Sequence, residues 1–247
     1  MNDRPSSHCT EPAPRDVSRL RAVLFDLDGT LLDTAPDLVT AVNRLRAEHA
    51  MGPLPFSMIR ATVSHGARAL VSLAFGITED APGFEALRQR LLELYAQHLL
   101  AESTPFPGMD SLITMLGMHG IRWGVVTNKP DHLAAPLLAH NTFSPPAAVL
   151  VCPDHVSRPK PDPEPLLLAC TRLGCTADEA VYVGDHARDI EAGRNAGMRT
   201  IAASYGYLEP GESAAAWGAD YEADSVAAIE RILFTRFLPS QGYWIPT

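Results

Sequence analysis

Five short apolar runs constrain the fold of this chain more than any other feature. They are "RAVLF" (Arg21 to Phe25), "IRWGVV" (Ile121 to Val126), "AAVLV" (Ala147 to Val151), "AVYV" (Ala180 to Val183) and "RTIAA" (Arg199 to Ala203). The first breaks off abruptly at Asp26. Runs without polar alternation suit parallel strands buried on both faces. Helical stretches such as "PEPLLLACTRLG" and "DIEAGRNAG" lie between most of them, each closing on a glycine stop. Strands alternating with helices predict an α/β fold, a doubly wound parallel sheet of Rossmann-like type. In such sheets ligands bind beyond the carboxyl ends of the strands.

The alternation fails between Thr34 and Thr104. "TAPD" (Thr34 to Asp37) reads as a capping box, with Thr34 as N-cap and Asp37 three residues on. Leu38, Ala41, Val42 and Leu45 then share one helical face. "IRATVSHGARALVSLAF" supplies two shorter helices and "FEALRQRLLELYAQHLL" a long one. The pattern predicts an all-helical insertion at 35–104, between the first and second strands, with hinges near Leu32–Ala35 and at Ser103 to Gly108. The core then comprises 20–34 and 105–233, with tails at 1–19 and 234–247. The aromatics of the last segment either pack on the body or mediate association.

A net charge of −9 argues against a broad nucleic-acid or anionic-membrane surface. Any bound anion must meet local positive charge. The cysteines (Cys9, Cys152, Cys170, Cys175) lack disulfide-framework or zinc-knuckle spacing and read as reduced thiols. The polar, Pro-rich start has no apolar core of the signal-peptide kind, and no apolar run is long enough to span a bilayer. The expectation is a soluble cytoplasmic protein.

"LFDLDGT" (Leu24 to Thr30) places Asp26 and Asp28 in the turn beyond the first strand, where Gly29 permits a positive-φ backbone. Taken alone, the pair fits a solvated, helix-capping turn equally well. "VGDHARD" (Val183 to Asp189) puts Asp185 at a second strand end and Asp189 one helical turn further. Two unit charges about 4 Å apart cost about 4 kcal/mol at an effective dielectric near 20. A hard divalent cation removes that repulsion, and Mg²⁺ suits carboxylates, waters and phosphate oxygens. Thr127, in "GVVTNKP", ends another strand with a hydroxyl and an expected free N–H, suited either to a turn or to a phosphoryl oxygen. Lysine occurs only at Lys129 and Lys160. In a chain otherwise reliant on arginine, Lys160 in its Pro-braced loop suggests that a compact ammonium is wanted. Lys129 flanks the site without an assigned role.

In this order, "DLDGT", "VVTN", "RPKP" and "VGDHARD" resemble the four motifs of the haloacid dehalogenase superfamily of phosphohydrolases. The helical insertion falls where that family carries its cap, and the likeness extends from Arg21 to Ile232. Within the superfamily the chain is most similar to the phosphoglycolate phosphatase group. The resemblance implies that Asp26 is the nucleophile forming an aspartyl-phosphate and Asp28 the general acid and base. It implies Mg²⁺ held by the Asp26 and Asp185 carboxylates and the Asp28 carbonyl. Thr127, Asn128 and Lys160 would bind phosphate, and Asp189 would orient Lys160 or a metal-bound water. His186 departs from the Asp or Ser common there and makes the outer metal shell less negative.

The implied partner is a small phosphate ester, with no nucleic acid or membrane. N-acetylmuramic acid 6-phosphate ranks first as substrate and 2-phosphoglycolate second. "SHGAR" is the expected substrate loop, contributing Ser64, His65, Gly66 and Arg68. Arg68 would either meet a substrate carboxylate or stand exposed at a helix start. Dehalogenase chemistry needs neither a metal nor an acid at Asp28, and phosphonate hydrolysis needs a cap lysine that the insertion lacks. A sugar phosphomutase and a silent binding protein are the remaining alternatives.

Overall fold

The computed structural model describes residues 20–238. In chain order the elements are β1 (Ala22–Phe25), β2 (Leu32–Asp33), α1 (Ala35–Glu48), α2 (Phe56–Thr62), α3 (Gly66–Phe75), α4 (Phe84–His98) and β3 (Thr104–Pro105). They continue as α5 (Met109–Met118), β4 (Arg122–Val126), α6 (Asp131–His140), β5 (Val149–Val151), α7 (Glu164–Leu173) and β6 (Ala180–Gly184). The last are α8 (Ala187–Asn195), β7 (Arg199–Ala203), β8 (Tyr221–Ala223) and α9 (Val226–Ile232). All five strands expected from the apolar runs are present. β8 is an additional edge strand.

The main sheet runs β5-β4-β1-β6-β7-β8 and every pairing within it is parallel. Strand order reverses at β1, so a crevice opens between the carboxyl ends of β1 and β6, the usual ligand position in such sheets. Val23 and Phe25 of β1 pack with Trp123, Leu112, Leu116 and Leu133, on the face covered by α5, α6 and α9. Ala22 and Leu24 pack with Leu166, Ala169 and Ala192 on the opposite face, beneath α7 and α8. A strand buried on both faces has no solvent side to alternate with, which explains the unbroken apolar runs.

The helical block α1–α4 is joined to the sheet by a two-stranded antiparallel ribbon, in which Leu32 pairs with Pro105 and Asp33 with Thr104. The expected hinges are therefore paired with each other. Leu38, Ala41, Val42 and Leu45 are buried, as the helical face predicts. The expected capping box does not form. Thr34 Oγ1 donates to Asp28 Oδ1 at 2.5 Å instead of capping α1. Asp37 accepts from the Glu102 and Ser103 N–H groups and the Ser103 hydroxyl, tying the chain leaving the block to the helix that enters it. The first N–H groups of α1 need acceptors. Tyr207 Oη accepts from Thr34 and Ala35 N–H at 2.7 and 3.0 Å and donates to Asp33.

The far end also departs from expectation. The chain stays helical through Leu233–Phe237, and Phe234 and Phe237 are buried, each edge-on to an aromatic ring of the body. These aromatics pack on the body, so no tail begins at 234. The expected N-terminal tail, with Cys9, lies outside the described residues, as do residues 239–247. Among the described residues Cys152, Cys170 and Cys175 are free thiols, and no helix is long and apolar enough to cross a membrane.

Candidate active site

Asp26 follows directly on β1, and its N–H extends the sheet by donating to Val183 O of β6. The two strands are thus in register as they deliver Asp26 and Asp185 to one edge. Gly29 has φ +82°, and a Cβ there would lie 2.1 Å from Asp185 Oδ2. The glycine in "DGT" is therefore required both by its turn and by the close approach of the two acidic loops. Oxygens of Asp26, Asp185 and Asp189 all lie within 4.8 Å of one another.

Lys160 stands against this cluster with its side chain almost wholly buried. Its Nζ lies 2.9 Å from Asp26 Oδ1 and 2.7 Å from Asp189 Oδ1, and it also donates to Val126 O and Tyr182 Oη. The second Asp189 oxygen accepts from His186 N–H, so both of its carboxylate oxygens have partners. Asp185 accepts from Thr30 Oγ1, Tyr207 N–H and Ser64 Oγ. Burial, opposed by Lys160 and reinforced by Asp189, pushes Asp26 up to about 6. Burial, with Asp26 and Asp189 nearby, pushes Asp185 up to about 8.

Three clustered carboxylates facing one buried ammonium leave a surplus of negative charge. The donors are hard oxygens, the set that suits a divalent magnesium ion. The cluster therefore fits the group expected from the sequence. In metal-free protein the raised values have a definite sign. The fold binds protons that the unfolded chain releases, so stability is present at low pH and is lost as pH rises through about 6 and about 8. Denaturation in chelator should show a lower midpoint at about pH 9 than at about pH 5, and Asp185→Asn should shrink that difference. Equal midpoints in the parent protein would contradict the charge surplus.

The remaining predicted residues fall around a cavity of about 350 Å³ lined by Asp26, Asp28, Thr127, Asn128, Lys160 and the Ser64–Arg68 stretch, among others. One expectation needs correction. Thr127 N–H is not free, because the β4–β5 ladder runs one residue further and it donates to Val151 O. Thr127 Oγ1 accepts from Lys129 N–H. The Asn128 side chain is engaged by Lys160: its oxygen accepts from the Lys160 N–H and its amide group donates to the Lys160 carbonyl, clamping the loop that carries the lysine.

The "SHGAR" stretch reaches the site, with its contacts distributed differently from expectation. Ser64 Oγ points at Asp185, 3.1 Å away, and His65 packs edge-on against His186 and lies 3.1 Å from Glu209. Gly66 opens α3 with φ +82°. Arg68 sits half-exposed at the rim, paired with Glu79 and Glu85. His186 caps α8 by accepting from Arg188 N–H. Burial and the Arg188 charge push its imidazole down to about 4, so it is neutral, as anticipated.

Sequence reasoning missed several participants. Lys129, left without a role, donates to Asp28 Oδ1 at 2.8 Å and to Tyr95 Oη of α4 at 2.9 Å. The scarcity of lysine was its available signal. Tyr95, Tyr182, Tyr207, Arg88 and Arg188 gave none, since nothing in the neighbouring sequence sets a buried phenol apart from a core residue, or one arginine apart from the rest in an arginine-rich chain.

The haloacid dehalogenase-like hydrolase family model matches residues 23–203, and the chain belongs to that family. It is 48% identical over 206 residues to the N-acetylmuramic acid 6-phosphate phosphatase of Pseudomonas aeruginosa, covering 83% of this chain and 91% of that protein. It is 42% identical over 200 residues to the phosphoglycolate phosphatase of Xanthomonas campestris, covering 81% and 90%. The crystal structure of a predicted phosphoglycolate phosphatase from Haemophilus somnus matches with a TM-score of 0.77 at 25% identity, covering 87% of this chain and 98% of that one.

Proposed function

We propose that this chain is a magnesium-dependent phosphomonoesterase whose preferred substrate is N-acetylmuramic acid 6-phosphate. The observation that carries the reading is Asp26 at the β1–β6 crevice, salt-bridged to buried Lys160 at one wall of a cavity that also exposes Asp28. Asp26 attacks phosphorus through a carboxylate oxygen, forming the aspartyl–phosphorus bond as the ester P–O bond breaks. Asp28 gives its proton to the leaving alkoxide, then takes one from the water that hydrolyses the acyl phosphate. Lys160 balances charge on the transferring oxygens, fixed in place by Asp189 and the Asn128 clamp. The Asp26 and Asp185 carboxylates and the Asp28 carbonyl would hold Mg²⁺, which supplies electrophilic neutralisation of the phosphate. The helical block acts as a cap that excludes bulk water.

Two considerations favour the sugar ester over phosphoglycolate. The most similar relative named above acts, by its name, on that ester. The cavity also carries an apolar wall of Leu38, Leu70 and Leu92 that a two-carbon acid leaves uncovered. Purified protein with Mg²⁺ should release phosphate from the muramic ester with a kcat/KM at least about 10-fold above that for 2-phosphoglycolate. Chelator should stop release and added Mg²⁺ restore it. The reverse ranking would overturn the substrate, and chelator-resistant turnover would overturn the metal requirement. Free phosphate as product separates this reading from a phosphomutase.

A further inference from the structure

We propose that Arg88, supported by Arg68, recognises a carboxylate carried by the substrate at the end remote from its phosphate. This inference rests on the phosphatase reading above. Helix α4 presents Arg88, Leu92 and Tyr95 to the cavity, a spacing that puts all three on one face. Tyr95 sits at the phosphate end, because its hydroxyl meets Lys129, which in turn holds Asp28. Seven residues at about 1.5 Å each place Arg88 about 10 Å further along the helix. Helical side chains lean toward the N-terminus, which carries the guanidinium further from the chemistry.

At that outer position two guanidinium groups converge on one carboxylate. Arg88 Nε donates to Glu85 Oε1 at 2.8 Å, and its Nη2 bonds the same oxygen. Arg68 Nη2 lies 3.5 Å from the other Glu85 oxygen. The two arginines together hold the Glu85 carboxyl below the usual carboxylate range, Arg88 most strongly. Glu85 itself is 61% exposed, so this is a surface pair of small net strength that an incoming carboxylate can exchange with. The guanidinium fork matches a carboxylate bidentately. Leu92 lies between the two ends and offers an apolar surface to whatever connects them. Phosphoglycolate, with two carbons, is too short to engage Asp26 and Arg88 together. A hexosamine 6-phosphate with an acid on an ether substituent of its ring carries that acid many bonds further from the phosphate, the better match to two ends about 10 Å apart along the helix.

The test compares N-acetylmuramic acid 6-phosphate with N-acetylglucosamine 6-phosphate, the same sugar ester without the lactyl acid, using Arg88→Ala and Arg88→Lys in the full chain. Arg88→Ala should lose about 10- to 100-fold more kcat/KM on the muramic ester than on the glucosamine ester. Most of that loss should appear in KM. Arg88→Lys, keeping the charge without the fork, should fall between. Equal losses on both esters, or no loss on either, would overturn the role of Arg88 while leaving the substrate reading intact. A parent enzyme with no preference for the muramic ester over the glucosamine ester would overturn both.

Discussion

Asp26→Asn is expected to lower phosphate release by at least about 10⁴-fold, the scale at which removal of a covalent nucleophile is felt. The amide keeps the size and shape of the carboxylate. Its oxygen can still accept from Leu27 N–H and from Lys160, the two partners of Asp26 Oδ1. One negative charge leaves a crowded cluster, so metal-free stability should hold or rise. Phosphate assay and thermal melting on the same preparation test both halves. Substantial release by a folded variant would show that another group attacks phosphorus.

Lys160→Met should be the second most damaging change, and it should reduce stability as well as rate. The ammonium has four partners: two carboxylates, a carbonyl and a phenol. Methionine fills a similar volume but leaves Asp26 and Asp189 without their shared counter-charge. Breaking a buried ion pair from one side costs about 3–5 kcal/mol. Loss of a positioned charge at the reacting group costs about 10²–10³ in kcat. Denaturant titration in chelator should show the first, and turnover at saturating Mg²⁺ the second. Parent-like values for both would show that Lys160 is neither the counter-ion nor a phosphate ligand.

How far the sequence disclosed this arrangement depended on whether a residue's partners were local. Arg199–Ala203 was found as predicted, and the other buried strands to within two residues, because burial on both faces leaves an uninterrupted apolar signature. β8 escaped because it is a three-residue edge strand in which Glu222 is exposed and Ala223 buried, too short to show a period. The start of α1 was legible from "TAPD", yet its capping box was not, since Thr34 and Asp37 are claimed by Asp28 and Ser103. The same competition misled the reading of Thr127, whose N–H belongs to the β5 ladder. Asp26, Asp28, Lys160 and Asp185 stood out through order and spacing. Tyr182 did not, because a buried phenol in an apolar run looks like any other core residue, and Tyr207 did not, because its partners Asp33, Thr34 and Ala35 lie more than 170 residues away.

The ribbon at the root of the helical block has a mechanical consequence. Both covalent tethers leave the sheet side by side, and Asp37 rivets the outgoing one to the incoming helix. Two adjacent tethers with a shared fastening allow swing about one line while resisting sliding and wandering. Substrate entry is therefore expected to resemble a door on a short hinge. Each closure would return Ser64 to Asp185 and Tyr95 to Lys129, so the same geometry is restored from one turnover to the next.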